Sequence, residues 1–203
     1  MFQFFKSLFD FLFSLSLIFL LFPLFLLIIF ILLFFSDSKV FFIHKRIGKD
    51  GKNFNLYKFR SMRHSRNEIL SKYFQENPIE KIYWQKNQKL KNDPRVTKIG
   101  YFLREFSLDE LPQIFNILKG DMSFIGPRPI VEDELHKYGC KFEDYKSVKP
   151  GLSGLWQVSG RNNTSYKDRV ELDCRYIKNM SFLLDIKIFF KTIYVVFSRE
   201  GAY

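Results

Sequence analysis

Cysteine and histidine are scarce in this 203-residue chain, with two of the first and three of the second. Cys140 and Cys174 form no CxxC pair, which leaves no disulfide framework and makes a reducing compartment the default. His44, His64 and His136 are too scattered for metal-ligand spacing and read as structural or exposed side chains. Acidic residues are outnumbered by basic ones, 21 against 32, for a formal charge of +11. So basic a chain calls for an anionic partner, whether nucleic acid, phospholipid headgroups or phosphorylated small molecules. Neither internal repeats nor a long disordered linker is present.

What the chain has in abundance is phenylalanine, 26 residues of it, crowded toward the start. No charge interrupts LIFLLFPLFLLIIFILLFF from Leu17 to Phe35, and the amphipathic stretch FFKSLFDFLFSLS precedes it. Such a run is long enough to cross a bilayer core of about 30 Å. It is too long for a signal peptide, and no small-residue cleavage site follows. Pro23 removes one backbone hydrogen bond and crowds the preceding turn, so a bend is expected there. Two readings stand open. The segment is a kinked spanning helix, or a re-entrant hairpin that breaks at Pro23 and returns to the face it entered. The cluster His44-Lys45-Arg46 after the segment places the remainder in the cytoplasm under either reading.

The expected organisation is a membrane-embedded segment at 1–38 and a basic cytoplasmic domain at 39–203, with an α+β, mainly helical fold. Residues 40–62 look like two short strands around a Gly-Lys-Asp-Gly turn. Residues 65–92 suggest one or two surface helices broken near Asn77-Pro78. A turn-rich stretch, KPGLSGLWQVSGRNN, fills 149–163, and charged helical sequence follows at 164–179. The closing SFLLDIKIFFKTIYVVFSR suits either a core helix or one lying at a membrane interface.

Three constellations carry chemistry. In Arg104-Glu105-Phe106-Ser107-Leu108-Asp109-Glu110-Leu111-Pro112, Ser107 and Glu110 match an S-x-x-E capping box, a sufficient structural reason for both. Pro112 fits better if the helix starts at Asp109, which puts the proline in the first turn. The adjacent carboxylates Asp109 and Glu110 also suit a pair in which one holds Mg²⁺ and the other attacks phosphorus, with Arg104 nearby for a diphosphate. In Gly126-Pro127-Arg128-Pro129 two prolines stiffen the backbone around one guanidinium, which suits phosphate binding or a rigid loop with a solvated arginine. In Trp156-Gln157-Val158-Ser159-Gly160-Arg161, Arg161 suits a phosphate or base edge, while Trp156 suits a core position or a base stack. Lys58 and Arg60 alternate in YKFRSM and would share one strand face, solvated or ligand-facing.

Taken in order, KFRSM, DPRVTKIGYFLR, SLDELPQIFNILKGDMSFIGPRP, KPGLSGLWQVSGRN and the closing FSREGAY resemble the bacterial sugar transferase family, the monotopic polyprenyl-phosphate phosphoglycosyl transferases. The resemblance implies that Asp109 attacks the β-phosphorus of a UDP-sugar and expels UMP, and that polyprenyl (undecaprenyl) phosphate then takes the phosphosugar from Asp109. It implies Glu110 with Asp109 as the Mg²⁺ site, Arg104 and Arg128 as phosphate anchors, and Lys58, Arg60, Gln157 and Arg161 as further substrate contacts. It favours the re-entrant hairpin, although Phe22 stands where many members have serine before the proline. It points to the bacterial inner membrane, to no nucleic acid partner, and to UDP-galactose as the first donor to try. Members acting on galactose usually carry an extra multi-helix membrane domain upstream, and the expectation here is of the catalytic module without it. Two other classes compete: a glycosyltransferase that releases UDP, and a membrane-anchored protein that only binds polyanions.

Overall fold

The computed structural model describes residues 2–35, 39–87, 90, 92–160 and 164–198. Leu, Ile and Phe dominate the first segment and no charge follows Asp10, so nothing competes with backbone hydrogen bonding. One helix results, α1 (Phe2–Phe35), with Pro23 inside it. The proline forfeits one hydrogen bond without dividing the segment into two helices.

α1 does not stand away from the rest of the chain. At its start Lys6 Nζ lies 2.5 Å from Asp185 Oδ2 of α9 (Phe182–Ser198). Asp10 Oδ1 accepts a bond from Phe124 N at 3.5 Å. Past the midpoint Phe25 packs on Phe59 and Phe115, with ring centroids 5.6 and 5.7 Å apart. Phe25, Ile28 and Leu32 are buried together with Val40, Phe59, Leu103 and Ile114. The opposite face of α1 is open, with Phe4, Leu12, Phe19, Leu20, Leu26 and Phe30 exposed.

The Gly48–Lys52 turn joins β1 (Phe41–Ile47) to β2 (Asn53–Phe59) as an antiparallel hairpin. Asp50 and Gly51 both take positive φ there, 58° and 71°. α2 (Arg66–Glu76) and α3 (Pro78–Asn87) meet at Asn77, where the residue before a proline leaves helical geometry. α4 (Lys98–Glu105) is capped by Thr97, whose side chain accepts from Gly100 N. α5 (Gln113–Leu118) is short and ends at Gly120, with φ +83°.

β3 (Ser123–Ile125) and β4 (Gly151–Ser153) pair in parallel. Between them lie α6 (Leu135–Tyr138) and α7 (Phe142–Lys146). α8 (Tyr166–Lys178) is capped by Ser165 and buries Val170, Asp173, Cys174 and Tyr176. A core of Leu56, Ile117, Met122, Phe124, Tyr176 and Ile188 ties β2, α5, β3, α8 and α9 together. α9 fits both readings of its sequence in part. It buries Asp185 and Ile188 while leaving Phe182, Leu183, Ile186, Phe190, Tyr194 and Phe197 exposed. Its open face adjoins that of α1, since the rings of Phe9 and Phe182 meet edge to face at 6.2 Å.

Candidate active site

A cavity of about 690 Å³ opens between β2, α4, α5, β4 and α9, and Asp109 and Glu110 lie on its wall. Both residues sit on a 3-10 turn, Leu108–Glu110, and not on the helix that the sequence suggested. α5 starts three residues later, with Pro112 as its cap. The capping box does not form either. Ser107 adopts left-handed geometry, φ 55° and ψ 20°, and its side chain caps nothing. With that twist α4 ends, the chain reverses, and the carboxylates are delivered to the cavity. Ser107→Gly is therefore expected to hold stability or raise it by up to about 1 kcal/mol, because glycine visits this region without a Cβ clash. A clear loss in thermal unfolding would instead restore a capping role.

Asn116, fully buried, sets the register between dyad and strand. Its Oδ1 accepts from Tyr57 N at 3.0 Å and its Nδ2 donates to Asn55 O at 2.7 Å, which welds α5 to β2. Lys58 is thereby carried to the dyad, and its Nζ donates to Glu110 Oε1 at 2.6 Å. Asp109 is 8% exposed. Burial pushes its carboxyl up to about 6, against the pull of Lys58, with Glu110 adding repulsion and Arg104 attraction. A carboxylate disfavoured in its own site is a strong nucleophile candidate once ionised.

The structure sorts the other candidate residues unevenly. Arg104 lines the cavity and donates from Nε to Ser61 Oγ at 2.8 Å. Arg128 also lines it, with its guanidinium 5.7 Å from the centre of the Trp156 ring. Gln157 lines it as well, and its buried Oε1 has no partner among the described residues. Arg60 is placed elsewhere: its Nε donates to Lys39 O at 2.8 Å, bracing the approach to β1. β2 ends at Phe59, so the shared strand face with Lys58 is lost at Arg60. Arg161 falls outside the described residues. Trp156 takes its core position, 3% exposed, with Arg169 4.7 Å over its ring.

The Gly126-Pro127-Arg128-Pro129 loop is held by the second turn-rich motif. Gly126 N donates to Ser153 O at 2.9 Å and Gly151 N to Pro127 O at 2.8 Å. Asp173 supports the loop from α8. Burial raises its carboxyl to about 7, opposed by a hydrogen bond from the Tyr138 hydroxyl at 2.8 Å and by Arg128. The two motifs are one piece of backbone architecture.

The bacterial sugar transferase family matches residues 1–199. The chain belongs to that family. Among curated relatives, the UDP-galactose-lipid carrier transferase of Erwinia amylovora is 46% identical over 201 residues, covering 99% of this chain and 42% of the relative. The undecaprenyl-phosphate galactose phosphotransferase of Salmonella typhimurium is 54% identical over 160 residues, covering 79% and 34%. The exopolysaccharide production protein ExoY of Rhizobium meliloti is 48% identical over 181 residues, covering 89% and 80%. The chain thus spans about two fifths of the Erwinia protein and most of ExoY.

One further cavity residue does not stand out in the sequence. Arg46 of β1 lines the same wall, although nothing about HKRIG separates it from an ordinary basic strand end. Its place two residues before the Gly-Lys-Asp-Gly turn, on the strand that pairs with Lys58's, is one that any basic residue near a hairpin end shares. Groups of three or more His, Cys, Asp or Glu suited to a metal are absent among the described residues. Mg²⁺ does not require such a cage, since it takes one or two carboxylates plus water and substrate phosphates. Asp109 and Glu110 fit that demand, and Glu110 already holds a cation, Lys58.

Proposed function

We propose that the chain transfers a hexose-1-phosphate from a UDP-sugar to undecaprenyl phosphate, releasing UMP. The observation that carries the reading is Asp109, a buried carboxyl on the wall of a cavity that also presents Lys58, Arg104 and Arg128. In the first half-reaction an Asp109 carboxylate oxygen attacks the β-phosphorus of the donor. The bond from that phosphorus to the oxygen bridging the α-phosphorus breaks, and UMP leaves with the electron pair. In the second, a phosphate oxygen of the lipid attacks the aspartyl phosphosugar and the Asp109 carboxylate is regenerated. One diphosphate linkage replaces another, so the site has mainly to align the groups and offset their charge. Arg104 and Arg128 are the arginines for that task, and Lys58 holds Glu110 in place beside Asp109. Asp109 and Glu110 would hold Mg²⁺, which supplies further neutralisation of phosphate charge.

The names of the relatives support this class of donor and acceptor, with galactose the first sugar to test. They also support a place at the start of surface polysaccharide assembly. The exposed apolar faces of α1 and α9 support attachment to a membrane, which this reading takes to be the inner one, with the cavity toward the cytoplasm. Because α1 is fastened to the domain near both of its ends, we place it in the membrane alongside the domain, without a separate crossing.

The test is by-product analysis. Detergent-purified protein with Mg²⁺, undecaprenyl phosphate and a panel of UDP-sugars is expected to release UMP with one donor. Release of UDP would mean ordinary glycosyl transfer. Salt-sensitive anion binding with no turnover for any donor would mean a binding protein.

A further inference from the structure

Arg46 stands on the cavity wall in a position fixed from several sides. Its strand pairs it with Phe54, and the next residue, Ile47, donates from its backbone N to Ile130 O at 2.9 Å. The Tyr145 hydroxyl donates to Ile47 O at 2.7 Å and accepts from Ile130 N at 3.2 Å, which locks the end of β1 to the chain after Pro129. The side chain uses only part of its capacity. Nη1 donates to Pro129 O at 3.1 Å and lies 3.8 Å from Glu134 Oε2, beyond hydrogen-bond range.

Its Nε is buried and has no partner among the described residues. A buried N–H of a guanidinium without an acceptor is costly, and native structures seldom keep one without a reason. Arg128 is an electrostatic neighbour. After burial, repulsion from that second guanidinium does most to draw Arg46 down to about 10. Two arginines held near each other on one cavity wall gain most from an anion shared between them.

We propose that Arg46 is a substrate-binding residue whose guanidinium, on the cavity wall beside Arg128, donates to a phosphate oxygen. The inference rests on the phosphosugar reading above and extends it. Phosphate reaches this site from two sources, the donor's diphosphate and the lipid's phosphate, and both present the same acceptor chemistry.

The test uses the full chain in detergent with Arg46→Ala, Arg46→Lys and Glu134→Gln. Equilibrium binding of UDP and the KM for undecaprenyl phosphate are measured for each, with thermal unfolding as a check on folding. Loss of one charge-assisted bond weakens binding by roughly tenfold or more. A loss of about that size in UDP affinity for Arg46→Ala assigns the bond to the donor. Unchanged UDP affinity with a KM for the lipid raised to the same degree assigns it to the acceptor. Arg46→Lys keeps the charge without the fork and is expected to fall between wild type and alanine. Glu134→Gln removes the charge beside Nη1 and is expected to leave both quantities near wild type. If it reproduces the arginine variants, or if all variants bind as wild type does, Arg46 is structural and the proposal fails. If wild type itself binds no UDP, the donor reading fails and carries the Arg46 assignment with it.

Discussion

Asp109→Asn is expected to abolish turnover, lowering UMP release by at least about 10³-fold, while making the protein more stable at neutral pH in the absence of Mg²⁺. Both effects follow from one cause. Burial raises the Asp109 carboxyl to about 6 from an ordinary value near 3.8, so at pH 7 the fold carries an anion that it disfavours. The sign is fixed by linkage. The penalty is absent below about pH 4, grows as pH rises toward 6, and is complete above it. A neutral amide removes it, for a gain on the order of 3 kcal/mol at pH 7.5 that vanishes near pH 4. Thermal unfolding in EDTA across that range is the measurement. Equal melting temperatures at every pH would mean that Asp109 is not held in a hostile site. Activity runs the other way with acid: attack requires the carboxylate, so kcat/KM of the wild type should fall about tenfold per pH unit below about 6.

Gly151→Ala is expected to destabilise the protein by about 3 kcal/mol or more, enough to prevent folding in a marginal domain. A Cβ at Gly151 would lie 2.1 Å from Gly126 N and 2.5 Å from Ser153 O. Both obstacles are backbone, so no rotamer change relieves them. The parallel β3–β4 pair would have to part, and with it the bond from Gly151 N to Pro127 O that holds the Arg128 loop. Chemical denaturation of the detergent-solubilised variant tests this, with anion binding as a second readout. A stability within about 1 kcal/mol of wild type would mean that the two loops are not locked in the way described.

Local patterns carried much of this molecule. The Gly-Lys-Asp-Gly turn announced the β1–β2 hairpin, and Asn77-Pro78 announced the junction of α2 and α3, because each is a short-range conformational preference. The Asp109-Glu110 pair stood out for its chemistry, and the structure places both on a cavity wall. Long-range facts were hidden. β3 and β4 are three residues each, too short for any periodicity, and their partners are 28 positions apart. Ser107's left-handed twist defeated the capping pattern, since the same four residues serve a cap or a reversal depending on what the chain does next. Arg46 was invisible for a similar reason: a basic residue before a turn becomes a cavity residue only when Ile130 closes on the strand.

α1 shares its buried side with the rest of the chain near both ends, through Lys6 and Asp185 at one and Leu32 at the other. It is less a mooring line than a keel. A tethered domain could drift to any height its linker allows, whereas here the helix with the exposed apolar side packs into the same core as the cavity wall. On the proposed reading, the depth to which the apolar side of α1 sinks would fix how far Asp109 stands from the bilayer, and an acceptor lipid would meet the dyad at a draught set by core packing.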